Sequence, residues 1–206
     1  TGASKGIGKE AAKLFAASGW DLLLVSRDNS ALKALTKDLT DSGNRVFYQA
    51  IDFSKPDLIS SGIDLLLQQG LCPSVLINNA GVAWTGDLLE MPLDRWQWLF
   101  QMNLTSVFQV CAAVIPYMRV RGGLVINVSS HASRNAFPQW GAYCTSKAAL
   151  DSFTRCLAVE ERQNSIRACT LTLGAVNTTL WDADTVQSDF DRNAMLPVEK
   201  AAEALY

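Results

Sequence analysis

The chain alternates between two kinds of apolar segment. Short, nearly continuous apolar runs occupy residues 21–26 (DLLLVS), 45–51 (RVFYQAI), 74–79 (SVLINN), 123–130 (GLVINVSS) and 166–173 (IRACTLTL). They lack the polar alternation of a half-exposed strand, so each reads as a strand covered on both faces, as in a parallel sheet. Longer stretches with helical spacing lie between them, at about 7–18, 29–42, 56–70, 93–119 and 141–162, with a last one starting near Pro197. Asn29 or Ser30 is placed to cap the second helix, and Gly43 to end it. Helices alternating with buried strands predict βαβ units and a doubly wound, parallel α/β sheet in a single domain. Ligands of such sheets bind at the carboxyl ends of the strands.

Composition narrows the picture. Hydrophobic residues make up 49% of the 206 and charged residues 18%, the balance of a compact core rather than of a disordered chain. A net charge of −2 gives no electrostatic ground for nucleic acid or an anionic membrane as partner. No apolar run reads as long enough to span a membrane. Five cysteines without a CxxC argue against a disulfide framework or zinc site and fit a reducing, cytoplasmic setting.

Chemistry gathers around a few short motifs. Gly2, Gly6 and Gly8 precede a helical pattern, where glycines let backbone N–H groups approach a pyrophosphate at the helix's positive end. Their spacing is GxxxGxG, not GxGxxG, and a glycine-rich turn is the plainer reading. The second apolar run ends in Ser26-Arg27-Asp28. An acid there suits the ribose 2′-hydroxyl of NAD, and an arginine the 2′-phosphate of NADP. Arg27, with Lys5 in the glycine loop, favours NADP(H), while Asp28 leaves room for NAD(H). Tyr143 and Lys147 stand four residues apart, on one face of a helix. A lysine charge lowers a tyrosine's pKa from about 10, which makes the phenol an acid or base toward a carbonyl or alcohol oxygen. The strand ending at Ser129 and Ser130 offers a hydroxyl to that oxygen.

With TGASKGIG (1–8), NNAG (78–81), MNL (102–104), NVSS (127–130), YCTSK (143–147) and Gly174 in this order, the chain resembles the short-chain dehydrogenase/reductase family over essentially its whole length. The resemblance implies a Rossmann-type sheet with cofactor and catalytic sites in one domain. It implies that Tyr143 is the general acid/base and that Lys147 tunes it and binds the nicotinamide ribose. It selects Ser130 over Ser129 to orient the substrate oxygen, and it assigns Asn103 to a helix kink that holds a relay water. Cofactor contacts carried over this way fall on Gly2, Ser4, Lys5, Gly6, Ile7, Gly8, Ser26, Arg27, Asp52, Phe53, Asn79, Ala80, Gly81, Gly174, Val176 and Thr178. Asn78 belongs to the segment that steadies the central sheet. Leu173 replaces the family's usual proline, which removes some preorganisation of the loop over the nicotinamide. A first strand ahead of the glycine loop and a last strand beyond Tyr206 are also implied, so a fragment of a longer chain is expected.

The expected activity is hydride transfer between NADP(H) and a ketone, aldehyde or secondary alcohol. A 3-oxoacyl-carrier-protein reductase and a catalytically weak dinucleotide sensor are the alternatives. Docking an acidic carrier needs an arginine patch at the cleft mouth, for which Arg119, Arg121, Arg134 and Arg155 are candidates. His131, Phe137, Trp140 and Trp181 are expected to line the substrate cleft beside Ser130. The helices at 93–119 and 141–162 correspond to those that pair subunits in the family, which predicts a homodimer or homotetramer.

Overall fold

The computed structural model describes residues 1–40 and 43–206. Five strands form, β1 (Leu22–Ser26), β2 (Val46–Ala50), β3 (Val75–Asn78), β4 (Gly123–Ser130) and β5 (Ile166–Leu173). The helices are α1 (Gly6–Ala17), α2 (Asn29–Thr40), α3 (Ile59–Leu67), α4 (Leu93–Phe100), α5 (Ser106–Met118), α6 (Gly141–Glu160) and α7 (Val198–Glu203). All strand pairs are parallel, β1 with β2 and β3–β4–β5 in that order. This is the α/β arrangement that the buried apolar runs predict. The expected second helix ran to 42, and its last two positions lie outside the described residues.

Alternation along the strands sorts side chains onto two helical layers. Val125 of β4 joins Ile59 and Ile63 of α3, Val110 and Val114 of α5, and Leu150 of α6 in one core. Ile126 and Val128 turn the other way, toward Ala11 of α1 and Ala201 and Ala202 of α7. Leu32, Leu35 and Leu39 of α2 pack with Leu24 and Val46 in a third cluster. Each fully buried leucine or isoleucine contributes about 1.5–3 kcal/mol. Between the layers runs a polar rung. Asn78 Nδ2 donates to Asn127 Oδ1 (2.9 Å), and Asn127 Nδ2 donates to Thr154 Oγ1 on α6 (2.8 Å).

Some local expectations change. Asp28, not Asn29 or Ser30, caps α2: its Oδ1 accepts from the N–H of Ala31 (2.9 Å) and the hydroxyl of Ser30 (2.7 Å). Residues 93–118 form a helix long and apolar enough, by length and composition, to cross a membrane, so the expectation that no segment reaches that size is corrected. Here it packs on α3, with Val107, Val110, Val114 and Met118 buried. Its middle, Gln101–Thr105, winds as a π-helical turn between α4 and α5.

Among the described residues the facing edges of β1 and β3 form no ladder with each other. A cavity of about 530 Å³ lies between them, walled by α1 and α3. At its carboxyl-end rim, Thr1 N donates to Ile77 O (2.8 Å) and Ala3 N to Val25 O (3.1 Å). The polar groups of the glycine loop and the tyrosine–lysine pair gather beyond that rim, at the carboxyl ends of the strands.

Candidate active site

The glycine loop is clasped to the end of β3. Thr1 Oγ1 accepts from the N–H groups of Asn79 and Ala80 (both 3.0 Å), and Asn79 Nδ2 donates to Thr1 O (3.0 Å). A Cβ on Gly8 would stand 2.5 Å from Gly2 O and 2.6 Å from Asn79 Nδ2, and Gly2 adopts a φ of +68°. Only glycine fits at both positions, and the amino end of α1 is left open to an anion. Thr178 approaches this loop from after β5, since a Cβ on Gly6 would meet its Cγ2 at 3.6 Å. These contacts bring Gly2, Gly6, Gly8, Asn79, Ala80 and Thr178 together.

The end of β1 supplies a cation. Arg27 is exposed and makes no hydrogen bond among the described residues. Its charge helps hold both Asp28 and Asp52 below the usual carboxylate range. For Asp28 the Ala31 and Ser30 hydrogen bonds contribute more. For Asp52 the Ser54 hydrogen bonds and the nearby charges outweigh a burial that pushes upward. The buried Ser26 hydroxyl has no hydrogen-bond partner among the described residues. A dinucleotide with a 2′-phosphate fits these groups: a phosphate cradle that a Cβ would fill, a cation without a hydrogen-bonded partner and an orphaned hydroxyl. Phe53 and Val176 have buried side chains, and their carbonyls accept from Gln101 Nε2 (3.0 Å) and Trp181 Nε1 (2.9 Å). Neither offers a side chain to a ligand.

The candidate catalytic residues gather around α6. Tyr143 and Lys147 lie one turn apart, with the Lys147 ammonium 5.9 Å from the centre of the Tyr143 ring. Lys147 Nζ donates to Val128 O (2.9 Å), which seats it against β4. Burial pushes its pKa down to about 8, against the pull of the Asp151 carboxylate one turn further on. Tyr143 keeps part of its ring open to the cleft, yet the protein around its hydroxyl pushes the pKa up to about 12, with the Ser130 hydroxyl pulling the other way. The sequence reading expected lysine to lower this pKa. Burial of the phenol hydroxyl, the largest influence, raises it instead. Tyr143 is therefore protonated at neutral pH.

The two serines of β4 separate by function. Ser129 Oγ donates to Asp151 Oδ1 (2.5 Å) inside the core. Ser130 Oγ accepts from the N–H of Ala132 (3.2 Å), capping the turn His131–Ser133, and its hydroxyl bears on Tyr143. Asn103 sits in the π turn with no exposed surface. Its Oδ1 accepts from Val82 N (2.9 Å), while its Nδ2 donates to Val82 O (2.9 Å) and Ser146 Oγ (3.0 Å). The side chain thus ties the loop after β3 to α6.

The loop after β5 is held despite lacking the expected proline. Arg192 donates to Asn177 Oδ1, Asp182 Oδ1 and Thr178 O at 2.6–3.1 Å. Leu173 packs with Ala201 of α7 and with Leu205 just beyond it. Trp181 meets Trp140 at 5.4 Å between ring centres, and Trp140 meets Tyr143 at 5.6 Å. Phe137 pairs instead with His131, at 6.1 Å. Phe190, which no sequence motif marks, stacks on Trp181 at 5.9 Å.

The carrier-docking candidates scatter. Arg119 is paired with Glu161 (2.5 Å). It and Arg121 precede β4, whose eight residues set them about 23 Å from its Ser130 end at ~3.3 Å per residue. Arg155 lies about 18 Å along α6 from Tyr143 at ~1.5 Å per residue. Only Arg134 belongs to the site end.

The profile of the short chain dehydrogenase family matches residues 1–188. A 3-oxoacyl-(acyl-carrier-protein) reductase FabG of Chlamydia muridarum is 32% identical over 182 residues, 87% of this chain and 73% of the relative. The fold superposes on an alcohol dehydrogenase from Thermococcus sibiricus complexed with 5-hydroxy-NADP, with a TM-score of 0.90 and 26% identity, covering 99% of this chain and 86% of that one. A short-chain dehydrogenase from Sphingobium yanoikuyae in complex with NADPH gives a TM-score of 0.89 and 28% identity, covering 99% and 80%.

Proposed function

The chain belongs to the short-chain dehydrogenase/reductase family, and from that premise we propose that it reduces a ketone or aldehyde to the alcohol with NADPH. One arrangement carries the reading: the Tyr143 phenol, the Ser130 hydroxyl that bears on it and the Lys147 ammonium 5.9 Å from its ring stand together at the carboxyl ends of the strands. Bound NADPH supplies the hydride that the carbonyl carbon receives. Ser130 donates its O–H to the carbonyl oxygen and fixes it. Tyr143 gives that oxygen its proton, and solvent returns one to the phenolate. Lys147, charged below about pH 8, steadies the phenolate while it lasts.

The glycine loop and the amino end of α1 would hold the pyrophosphate, and Arg27 with Lys5 the 2′-phosphate. Asp52 and Asn79–Gly81 would flank the adenosine, and Thr178 the nicotinamide end. The preference for NADP(H) rests on Arg27, while Asp28 uses one carboxylate oxygen to cap α2. A homo-oligomer would pair α5 and α6, where Phe108, Tyr117 and Val159 are exposed. The identity to a 3-oxoacyl-carrier-protein reductase favours a second reading, in which the carbonyl arrives on a carrier.

The test is NADPH and NADH oxidation against a panel of ketones and aldehydes. Tyr143→Phe should lose about 100-fold or more in kcat while still binding NADPH. Arg27→Ala should weaken NADPH about 10- to 100-fold, the loss of a charge-assisted contact, and leave NADH nearly unchanged. Equal turnover by Tyr143→Phe overturns the mechanism, and a wild-type preference for NADH overturns the cofactor.

A further inference from the structure

Beginning at Tyr143, aromatic rings follow one another without interruption. Tyr143 meets Trp140 at 5.6 Å, Trp140 meets Trp181 at 5.4 Å, and Trp181 stacks on Phe190 at 5.9 Å with planes 28° apart. All three separations lie in the range of favourable aromatic contact. The rings are set before any ligand arrives. Trp181 Nε1 is tied to Val176 O (2.9 Å). Trp140 follows Gln139, which is held at a left-handed φ of +66° and whose carbonyl accepts from Gly86 N (2.8 Å). The strap that carries Trp181 and Phe190 is anchored over the loop after β3, by Thr85 N to Thr185 O (2.9 Å) and Thr185 Oγ1 to Ala83 O (2.8 Å).

The rings are not consumed by this packing. Trp140 and Trp181 are half-buried and Phe190 is 52% exposed, so part of the ring surface stays uncovered. Around them the strap from Trp181 to Arg192 carries four aspartates, Asp182, Asp184, Asp189 and Asp191, against one arginine. That arginine is occupied by Asn177, Asp182 and Thr178. The facing turn adds His131 and Arg134, both exposed. An anionic substrate or an acidic carrier approaching this strap meets like charge.

We propose that the substrate is a neutral, carrier-free ketone with a flat aromatic ring next to its carbonyl, laid along Trp140, Trp181 and Phe190 while the oxygen reaches Ser130 and Tyr143. This rests on the reductase reading above. A planar ring gains stacking at little entropic cost, whereas an alkyl chain of similar size must be immobilised bond by bond.

The experiment compares kcat/KM for acetophenone, 2-octanone and an N-acetylcysteamine 3-oxoacyl thioester, with NADPH. The comparison uses wild type, Trp181→Leu and Phe190→Leu, each checked for unchanged NADPH binding. Wild type should prefer acetophenone to 2-octanone by about tenfold, and each variant should cut that ratio by about three- to tenfold, the weight of one aromatic contact. Equal kcat/KM for acetophenone and 2-octanone, a faster thioester, or a ratio untouched in both variants overturns the proposal and leaves the reductase reading standing. Saturable tryptophan quenching is followed in parallel for the same ketones. Acetophenone-selective quenching without turnover upholds the aromatic wall and sinks the reductase reading. No turnover and no selective quenching sinks both.

Discussion

Asn103→Ala removes three hydrogen bonds from a side chain with no exposed surface. Ser146 survives the change, because its hydroxyl still donates to Tyr143 O (2.8 Å). Val82 does not: its N–H and its C=O both lose their partner. Each orphaned group costs about 1–3 kcal/mol, so the pair costs about 2–6 kcal/mol. That is a large part of a typical folding free energy of ~5–15 kcal/mol. For a chain of this size each kcal/mol moves the melting midpoint by about 2–4 °C, so a fall of about 4–24 °C is expected. Thermal melts and urea titrations at 25 °C measure it, beside steady-state reduction kinetics. Asn103→Asp sharpens the comparison. It keeps the acceptor for Val82 N–H but turns a carboxylate toward Val82 O. Its folded pKa rises above the unfolded value of about 3.9, so its stability is greater at low pH and falls as pH rises through that region. If Asn103→Ala melts within about 2 °C of wild type, the clasp contributes nothing and the reasoning fails.

Two further outcomes follow from the same geometry. Asp151→Asn removes the charge that opposes the burial of Lys147, so the lysine pKa should drop further below about 8. Reduction slows as pH rises and Lys147 loses its proton, so the alkaline limb of the kcat profile should move to lower pH; an upward or absent shift refutes the coupling. Gly8→Ala forces a methyl onto Gly2 O and Asn79 Nδ2. It should abolish NADPH binding measured by calorimetry, and retained affinity would show that the loop yields.

Much of this was legible from residue order. The strand ends at Ser26, Ser130 and Leu173 match the apolar runs because strands buried on both faces have no reason to interrupt them. Tyr143, Lys147 and Ser130 converge as their motifs imply. Other features were hidden for physical reasons. Asp28, Asn29 and Ser30 are all good caps, and only the backbone direction decides which one serves. The raised pKa of Tyr143 comes from the burial of its hydroxyl, and spacing does not encode that. Asp151 looks like an ordinary helix acid until Ser129 is seen donating to it. Phe190 lies in a strap without periodicity, so nothing in the order of residues links it to Trp181.

The π turn at Gln101–Thr105 has a consequence for chain length. A turn closed from i to i+5 holds one residue more than an α turn, so the segment from Leu93 to Met118 carries a spare residue at its middle. Deleting one residue there lets the turn relax to α spacing, with Leu99 and Val107 still facing their cores. A deletion anywhere else in the helix rotates everything beyond it by about 100°. The helix is thus tolerant of shortening at one place only, and that place holds Asn103. A shorter descendant could keep the fold and lose the clasp on Val82 in a single step.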